Sequence, residues 1–286
     1  MTDDVDSAGR PVADGGVATG PDVNYREWSR PTPFYNETVK WLVYAGIGLF
    51  VAWSVWGLWV PLERMLRGAE HAVLLLEAMF PPNFGPDQRE LIWDGMIESL
   101  AMSVVATVVG VAVSLPFAFM AAENVAPRLI YYFARGVISI SRAFHSLVVA
   151  IIAVAAFGFG AFAGVVTLTF ATIGFFSKLL AEEIEDISAT QVDAIRSTGA
   201  NGLQVLLYGV VPQIIPRFIG LTVYRWDINI RASTIIGIVG AGGIGVTLLN
   251  SFDRYDYDFS MAIILVIVAI VLVGELFSLA VRRRYQ

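Results

Sequence analysis

The chain has 286 residues, of which 56% are hydrophobic and 15% charged, and its net charge is −6. Soluble globular domains average about 45–50% apolar and about 25% charged residues, so this composition argues against an ordinary soluble enzyme. The lack of cysteine excludes disulfides, thiol nucleophiles and Cys-based metal sites, and the acidic balance argues against nucleic-acid binding.

The N-terminal segment is polar. Its first 30 residues are rich in Asp, Gly, Pro, Thr and Ser and hold few large apolar side chains. Such a segment cannot bury enough surface to offset the entropy lost on ordering. It also lacks the basic start and short apolar core of a secretory signal peptide. We therefore predict a disordered cytoplasmic tail over 1–35.

Apolar runs of bilayer length recur from residue 41 onward. A helix needs about 20 mostly apolar residues to cross the hydrocarbon core of a membrane. The first run carries four tryptophans, which prefer the membrane interface, and belongs to a predicted region 36–90 of one span and an external loop or short helix. The six predicted spans are 41–60, 91–121, 130–157, 162–180, 206–223 and 261–281.

A further apolar segment, 232–249, holds five glycines. Glycine-rich backbone at membrane depth is tolerated only where protein or a cavity surrounds it. Basic residues flank both ends of the six-span unit, and positive residues stay in the cytoplasm. We therefore predict six spans with both termini cytoplasmic, and a re-entrant or short packed segment at 232–249 on the outer side.

The stretch between the fourth and fifth spans is polar and, in this topology, cytoplasmic. Ser188 and Gln191 have the spacing of a capping box, which starts a helix, and Gly199 is placed to end it. Asn201 and Gln204 repeat the capping spacing. The pattern predicts two short helices joined at a glycine bend, although a plain connector between two spans can carry the same signals.

This stretch resembles the cytoplasmic "EAA" signature of ABC importer permeases, which reads Glu-Ala-Ala, three residues, Gly, nine residues, then Ile-x-Leu-Pro. Asp193 and Ala194 open the signature, Gly199 follows at the right distance, and Pro212 keeps the Gly-to-Pro spacing. Ile195, Gly209 and Val211 replace the usual residues. The stretches 198–213, 224–234 and 237–245 are similar to phosphonate permease subunits, and the resemblance covers roughly 90–283.

The resemblance implies an all-α membrane protein with the six-helix, type I (MetI-like) architecture, its core over 91–283 and a coupling helix at about 187–201. It implies a non-enzymatic subunit of the cytoplasmic membrane that imports a phosphonate, or a phosphate- or phosphite-like anion. The chain has no G-x-x-x-x-G-K-[ST] sequence, so ATP and Mg²⁺ would bind a separate ATPase subunit. An extracytoplasmic binding protein, a homodimeric permease and surrounding lipid complete the expected partners.

The resemblance to the family also predicts which residues form the coupling motif, and this chain differs from the family pattern in one stretch. The expected ATPase-coupling motif consists of Asp193, Ala194, Gly199, Asn201, Gly202 and Pro212. The short helix would dock on the ATPase, Gly199 would permit the bend, and Pro212 would fix where the bend gives way to the span. The run from Arg142 to Ser146 replaces Arg-Ser-Ile-Pro-Glu of the family, so no role for that Glu is carried over. His145, inside the third predicted span, is expected to be a hydrogen-bonded packing residue.

Three charged residues, Arg225, Asp227 and Arg231, fall at the outer end of the fifth predicted span. Ionisable groups near the membrane are costly and are usually paired or functional. The i, i+4 spacing of Asp227 and Arg231 favours an internal ion pair. The other interpretation is that they form a cationic lining of the transport pathway that receives an anionic substrate. Arginine can bind phosphate-like oxygens through two of its nitrogens.

The sequence Gly240-x-Gly242-x-x-Gly245 formally matches a dinucleotide-binding fingerprint. That motif is meaningful only between a strand and a helix, so we interpret these glycines, with Gly243, as close backbone packing at an outer gate. Other functions remain open: an ABC permease for a different small solute, or a secondary transporter or channel. A membrane enzyme is disfavoured because the spans contain no cluster of His, Cys or carboxylates.

Overall fold

The computed structural model describes residues 36–57 and 61–285, and the predicted tail over 1–35 lies outside them. The described chain is built from α-helices, with one π-helical turn, Leu206–Val210, before α9. The helices are α1 Glu37–Gly57, α2 Leu62–Ala78, α3 Pro86–Met120, α4 Arg128–Ala143, α5 Ser146–Phe157, α6 Ala161–Glu185, α7 Ala189–Ser197, α8 Gly202–Val205, α9 Val211–Gly237, α10 Ile244–Asp253 and α11 Tyr257–Tyr285.

The chain divides into two units, 1–66 and 67–286. In the first unit, α1 is 21 residues long, is apolar enough to cross a membrane and has no buried residue. It corresponds to the first predicted span, except that 58–60 lie outside the described residues. After Pro61 the chain forms α2 rather than a loop.

The core of the second unit lies where α3, α6 and α9 meet. Small residues bring these helices close together, as is common in membrane proteins, where packing rather than the hydrophobic effect holds helices together. A Cβ built on Gly110 of α3 would lie 2.6 Å from the Cβ of Thr172 on α6. On the other side of α6, Gly174 lies against Ser141 of α4, whose hydroxyl donates to the Phe170 carbonyl at 2.9 Å.

Five helices are long and apolar enough to cross a membrane, and a bent pair gives a sixth if it counts as one span. That pair is α4 and α5, which meet at 88°, so the prediction of one continuous helix over 130–157 is wrong. His145 causes the difference: it caps α5, and its Nδ1 accepts from the Leu147 N–H at 3.3 Å. The expectation that His145 packs inside a helix is therefore also wrong.

The fifth predicted span ends too early. The helical run from Gly202 continues without a break to Gly237, 14 residues beyond Val223. The charges after Val223 suggested a membrane boundary, but Arg225 and Asp227 are buried in protein. After a turn, α10 has only ten residues, too few to cross a bilayer. The segment predicted over 232–249 is thus short and packed only after Gly237, because 232–237 belong to α9.

Candidate functional site

The candidate coupling helix is α7, Ala189–Ser197, which lies within the predicted 187–201. It has no buried residue. Asp193 and Arg196 form an ion pair at 3.3 Å with both side chains 67% exposed. Such an exposed pair is worth at most about 1 kcal/mol. Packing within this chain therefore leaves the outer face of α7 free for another protein.

The bend after α7 has the geometry expected from the sequence. Gly199 has a φ of +83°, a conformation that favours glycine. Asn201 and Gln204 form the predicted capping box: the Gln204 N–H donates to Asn201 Oδ1, and the Asn201 N–H donates to Gln204 Oε1, both at 2.9 Å. The predicted helix start at Ser188 is confirmed, since Ser188 is the N-cap residue of α7, but its side chain makes no capping hydrogen bond.

Gln213 holds the start of the coupling segment to the start of α9. Its Oε1 accepts from the Ser188 backbone N–H at 3.0 Å, and its Nε2 donates to the Gly209 carbonyl at 2.6 Å. The Ser188 N–H thus obtains its partner from a residue 25 positions away. A Cβ on Gly209 would be 3.5 Å from the Val192 Cα, so α7 lies directly on the π-helical turn.

We expect Gln213→Leu to lower transport severalfold while the protein still folds. The substitution removes two hydrogen bonds, each worth about 1 kcal/mol, and lets α7 move relative to α9. The measurement is uptake per ATP hydrolysed, with thermal unfolding of the same preparation. Gln88→Leu, at the start of α3, is the matched control, and equal losses in the two variants would contradict a coupling role for Gln213.

The C-terminal end of α6 is tied to α4 and to the loop before it. Glu185 Oε1 accepts from Arg135 Nη2 and from the Glu123 N–H, both at 2.8 Å, and Arg135 Nε donates to the Ala121 carbonyl at 2.9 Å. No spacing rule points to this contact, because Arg135 and Glu185 are 50 positions apart. Earlier on α6, Lys178 Nζ lies 3.5 Å from Glu182 Oε1.

A cavity of about 680 Å³ separates the Arg135–Glu185 ion pair from the coupling segment. Asn124 and Glu185 line one side, and Val192, Asp193 and Arg196 of α7 line the other. The coupling helix therefore touches the bundle on one side only, through Val192, which packs on the core beside the π-helical turn.

The glycine-rich segment forms the turn between α9 and α10. It lies between two helices, so it is not a dinucleotide fingerprint. Ser99 Oγ of α3 accepts from the Ile244 N–H at 2.9 Å, and the Gly160 N–H before α6 donates to the Gly240 carbonyl at 3.1 Å. Three residues of this turn have φ between +76° and +86°: Gly240, Gly242 and Gly243.

Of the three predicted pathway charges, Arg225 and Asp227 lie near the middle of α9, and Arg231 lies six residues before its end. The predicted ion pair is present, with Arg231 Nη2 2.8 Å from Asp227 Oδ2. Arg225 points elsewhere: its Nε donates to Thr172 Oγ1 of α6 at 2.9 Å. Asn229, which the sequence did not single out, donates to the same Thr172 oxygen at 3.2 Å. The bundle core thus contains a buried polar cluster.

The comparison with protein families decides the class. Residues 114–286 match the model for the binding-protein-dependent transport system inner membrane component. The chain belongs to this family. It is the membrane-spanning permease subunit of a binding-protein-dependent importer, and it crosses the cytoplasmic membrane several times, as the signature around Asp193 and Gly199 predicted.

Relatives of this chain include permeases for phosphorus compounds. A phosphite transport system permease from Stutzerimonas stutzeri is 40% identical over 84% of this chain and 86% of its own. A phosphate-import permease from Mycolicibacterium smegmatis is 39% identical over 74% of this chain and 40% of its own. A putative cryptic phosphonate permease from Escherichia coli K12 is 40% identical over 40% of this chain and 93% of its own.

Solved structures agree on the fold. The inward-facing MetNI methionine ABC transporter aligns with a TM-score of 0.63 and 18% identity, over 71% of this chain and 100% of that one. An amino acid ABC transporter with histidines aligns with a TM-score of 0.59 and 21% identity, over 68% and 94%. At these identities the likeness concerns the fold alone, and it confirms the predicted MetI-like architecture.

Proposed function

We propose that this permease imports a small phosphorus oxyanion, namely a phosphonate, phosphite or phosphate, with energy from ATP hydrolysed on a separate subunit. The observation that carries the proposal is the 40% identity to a phosphite permease over most of both chains. A buried arginine in the bundle core, Arg225, fits an anionic substrate. An external binding protein would deliver the substrate, and ATP and Mg²⁺ would bind only the ATPase.

The coupling mechanism that we propose begins at α7. The ATPase would receive its exposed face, with Asp193 and Ala194 at the contact, and closure on ATP would move α7. The capped bend at Asn201 and Gly202 would pass the motion on to α9. Pro212, in the first turn of α9, has no N–H. We propose that it fixes where the pliable π-helical turn gives way to the rigid span.

We further propose that the glycine turn between α9 and α10 forms part of the outer gate. It contacts the start of α6 through Gly160 and α3 through Ser99. Because α6 leads directly into the coupling helix, a movement of α6 would reach this turn. The residues assigned to it are Gly240, Gly242, Gly243 and Gly245.

The test is uptake by the complete transporter, reconstituted with its ATPase and binding protein in vesicles. Phosphite, methylphosphonate and phosphate are compared, with and without ATP. We expect ATP-dependent accumulation of at least one of them. Accumulation without ATP would favour a secondary transporter or channel, and ATP-dependent transport of only another class of solute would contradict the proposed substrate.

The proposed topology puts both termini in the cytoplasm and the turn before α11 outside. The native chain has no cysteine, so single cysteines can be labelled cleanly. We expect Asp256→Cys to react with an impermeant maleimide from outside, and Gln286→Cys to react only after the membrane is permeabilised. Labelling of Gln286→Cys in intact cells would overturn the proposed orientation.

We also propose that the permease is a homodimer in the membrane. Each chain carries one coupling helix, whereas two ATPase sites must close together, which a two-fold axis would satisfy. Lipid would cover the remaining apolar surface, including that of α1, which has no buried residue. Mass measurement of the purified complex should give two permease chains per two ATPase chains. One permease chain per two ATPases would contradict the homodimer.

A further inference from the structure

We propose that Arg225 and Asn229 form an oxyanion site inside the bundle core that holds one singly protonated phosphorus oxyanion during its passage. The site rests on the proposed function, because it takes that substrate class. Beyond that function, the site consists of two defined residues within the bundle. The neighbouring Asp227–Arg231 ion pair has only a structural role.

Arg225 is a buried cation without a counter-charge. Its residue is 5% exposed, and no carboxylate among the described residues lies within ion-pair distance of it. Asp227, two residues later, is 3% exposed but turns away, toward Arg231 and toward Gly274 of α11. An unpaired charge inside a membrane protein is costly and marks a functional position. An anionic ligand would supply the missing charge.

The polar groups of Arg225 are only partly used by the protein. Its Nε donates to Thr172 Oγ1 at 2.9 Å, and its guanidinium lies over the Phe175 ring at 5.1 Å. Within the described part of the chain, its two terminal nitrogens have no hydrogen-bond acceptor. These nitrogens form a planar fork that matches two oxygens of a phosphate-like group.

Asn229 supplies an unused acceptor one helical turn from Arg225. It follows Arg225 by four residues, so both lie on the same face of α9. Its Nδ2 donates to Thr107 Oγ1 at 2.9 Å and to Thr172 Oγ1 at 3.2 Å. Its Oδ1 is fully buried and has no partner in the structure. A buried acceptor without a donor is costly, which calls for a donor from a ligand.

The two groups together fit a particular chemical form. A singly protonated phosphonate, phosphite or phosphate has charged oxygens for the Arg225 fork and one P–OH group. That hydroxyl would donate to Asn229 Oδ1. Sulfate has the same shape but no proton at neutral pH, so it would leave the Asn229 oxygen unsatisfied. The pair therefore favours protonated phosphorus oxyanions over sulfate.

The contact with Thr172 ties the site to the coupling segment. Thr172 and Phe175 lie on α6, and Arg225 and Asn229 lie on α9. These two helices flank the coupling segment that contains α7. Separation of α6 from α9 would break the Arg225–Thr172 hydrogen bond and open the fork to the anion. In the structure, α6 holds Arg225 through Thr172.

The test compares Asn229→Asp and Arg225→Gln with Arg217→Gln in the complete reconstituted transporter. Asn229→Asp keeps the size of the side chain but places a carboxylate beside Arg225. We expect both site variants to lose phosphite and phosphate uptake at least tenfold, while Asn229→Asp unfolds at no lower temperature than wild type. Arg217 lies on the same helix but is 59% exposed, and its variant should stay within twofold of wild type.

A purely structural role predicts the same stability for Asn229→Asp but a different transport result. In that case a new ion pair with Arg225 would stabilise the core and uptake would stay intact. Uptake within twofold of wild type in that variant would overturn the site, also where Arg225→Gln fails to assemble. Absence of oxyanion uptake by the wild type would instead defeat the proposed substrate. Equilibrium dialysis of the permease–ATPase complex then tests the site. Saturable binding of phosphate that is lost in Asn229→Asp and that sulfate does not match would support the site. Any other pattern of binding would overturn it.

Discussion

Gly199→Val should abolish transport while the permease remains folded and in the membrane. Gly199 has a φ of +83°, where a β-branched residue is a steric outlier. A left-handed conformation costs a non-glycine residue on the order of 1–2 kcal/mol. A Cβ at this position would meet no other atom within 4 Å, so the only penalty is backbone strain. A rotation of α7 would relieve this strain. Such a rotation costs the fold little, but it would displace the surface on which the ATPase is proposed to dock.

The matched control is Gly199→Asn, since asparagine tolerates this backbone conformation better than other non-glycine residues. We expect Gly199→Asn to keep much of the uptake that Gly199→Val loses. Uptake, membrane expression and co-purification of the ATPase are measured together. Normal uptake by Gly199→Val would show that this segment is only a connector. Asp193→Ala should have a milder effect, because the Asp193–Arg196 pair is exposed.

The sequence predicted best what depends on local chemistry. The bend at Gly199 follows from glycine being the residue that accepts a positive φ. The cap at Asn201 follows from a side chain three residues from its donor. Ser188 has the same spacing, yet its own N–H is satisfied by Gln213, 25 positions along the chain. No spacing rule reaches a partner that only the fold brings near.

Hydropathy fails where protein, rather than lipid, surrounds a helix. A hydropathy window averages the free energy of transferring side chains into a uniform apolar solvent. Charged residues such as Arg225 and Asp227 therefore indicate the end of a span. In the structure, neighbouring helices bury both residues, and α9 continues to Gly237. The same window cannot register the 88° bend at His145, because it averages α4, which carries three arginines, with the apolar α5. Charges inside a bundle and capped breaks require the tertiary structure.

Gly245→Ala should destabilise the permease strongly, although it replaces a glycine inside a helix by the best helix former. A Cβ on Gly245 would contact the Thr234 carbonyl and would lie 2.9 Å from the Gly237 Cα. Both neighbours are backbone atoms, so relief requires α9 and α10 to move apart. Overpacking of this kind costs on the order of 3 kcal/mol. We expect poor membrane expression and a thermal unfolding temperature several degrees lower.

Gly136→Ala is the matched control, because a Cβ on Gly136 of α4 meets nothing within 4 Å. Both substitutions gain about 1 kcal/mol of helix propensity, so the difference between them isolates the contact of Gly245 with Gly237. Separating these backbones would also shift the turn that holds Ile244 on Ser99. A loss of transport at unchanged stability would place the effect in the proposed gate. Equal stability and equal transport in both variants would refute the close approach of α9 and α10.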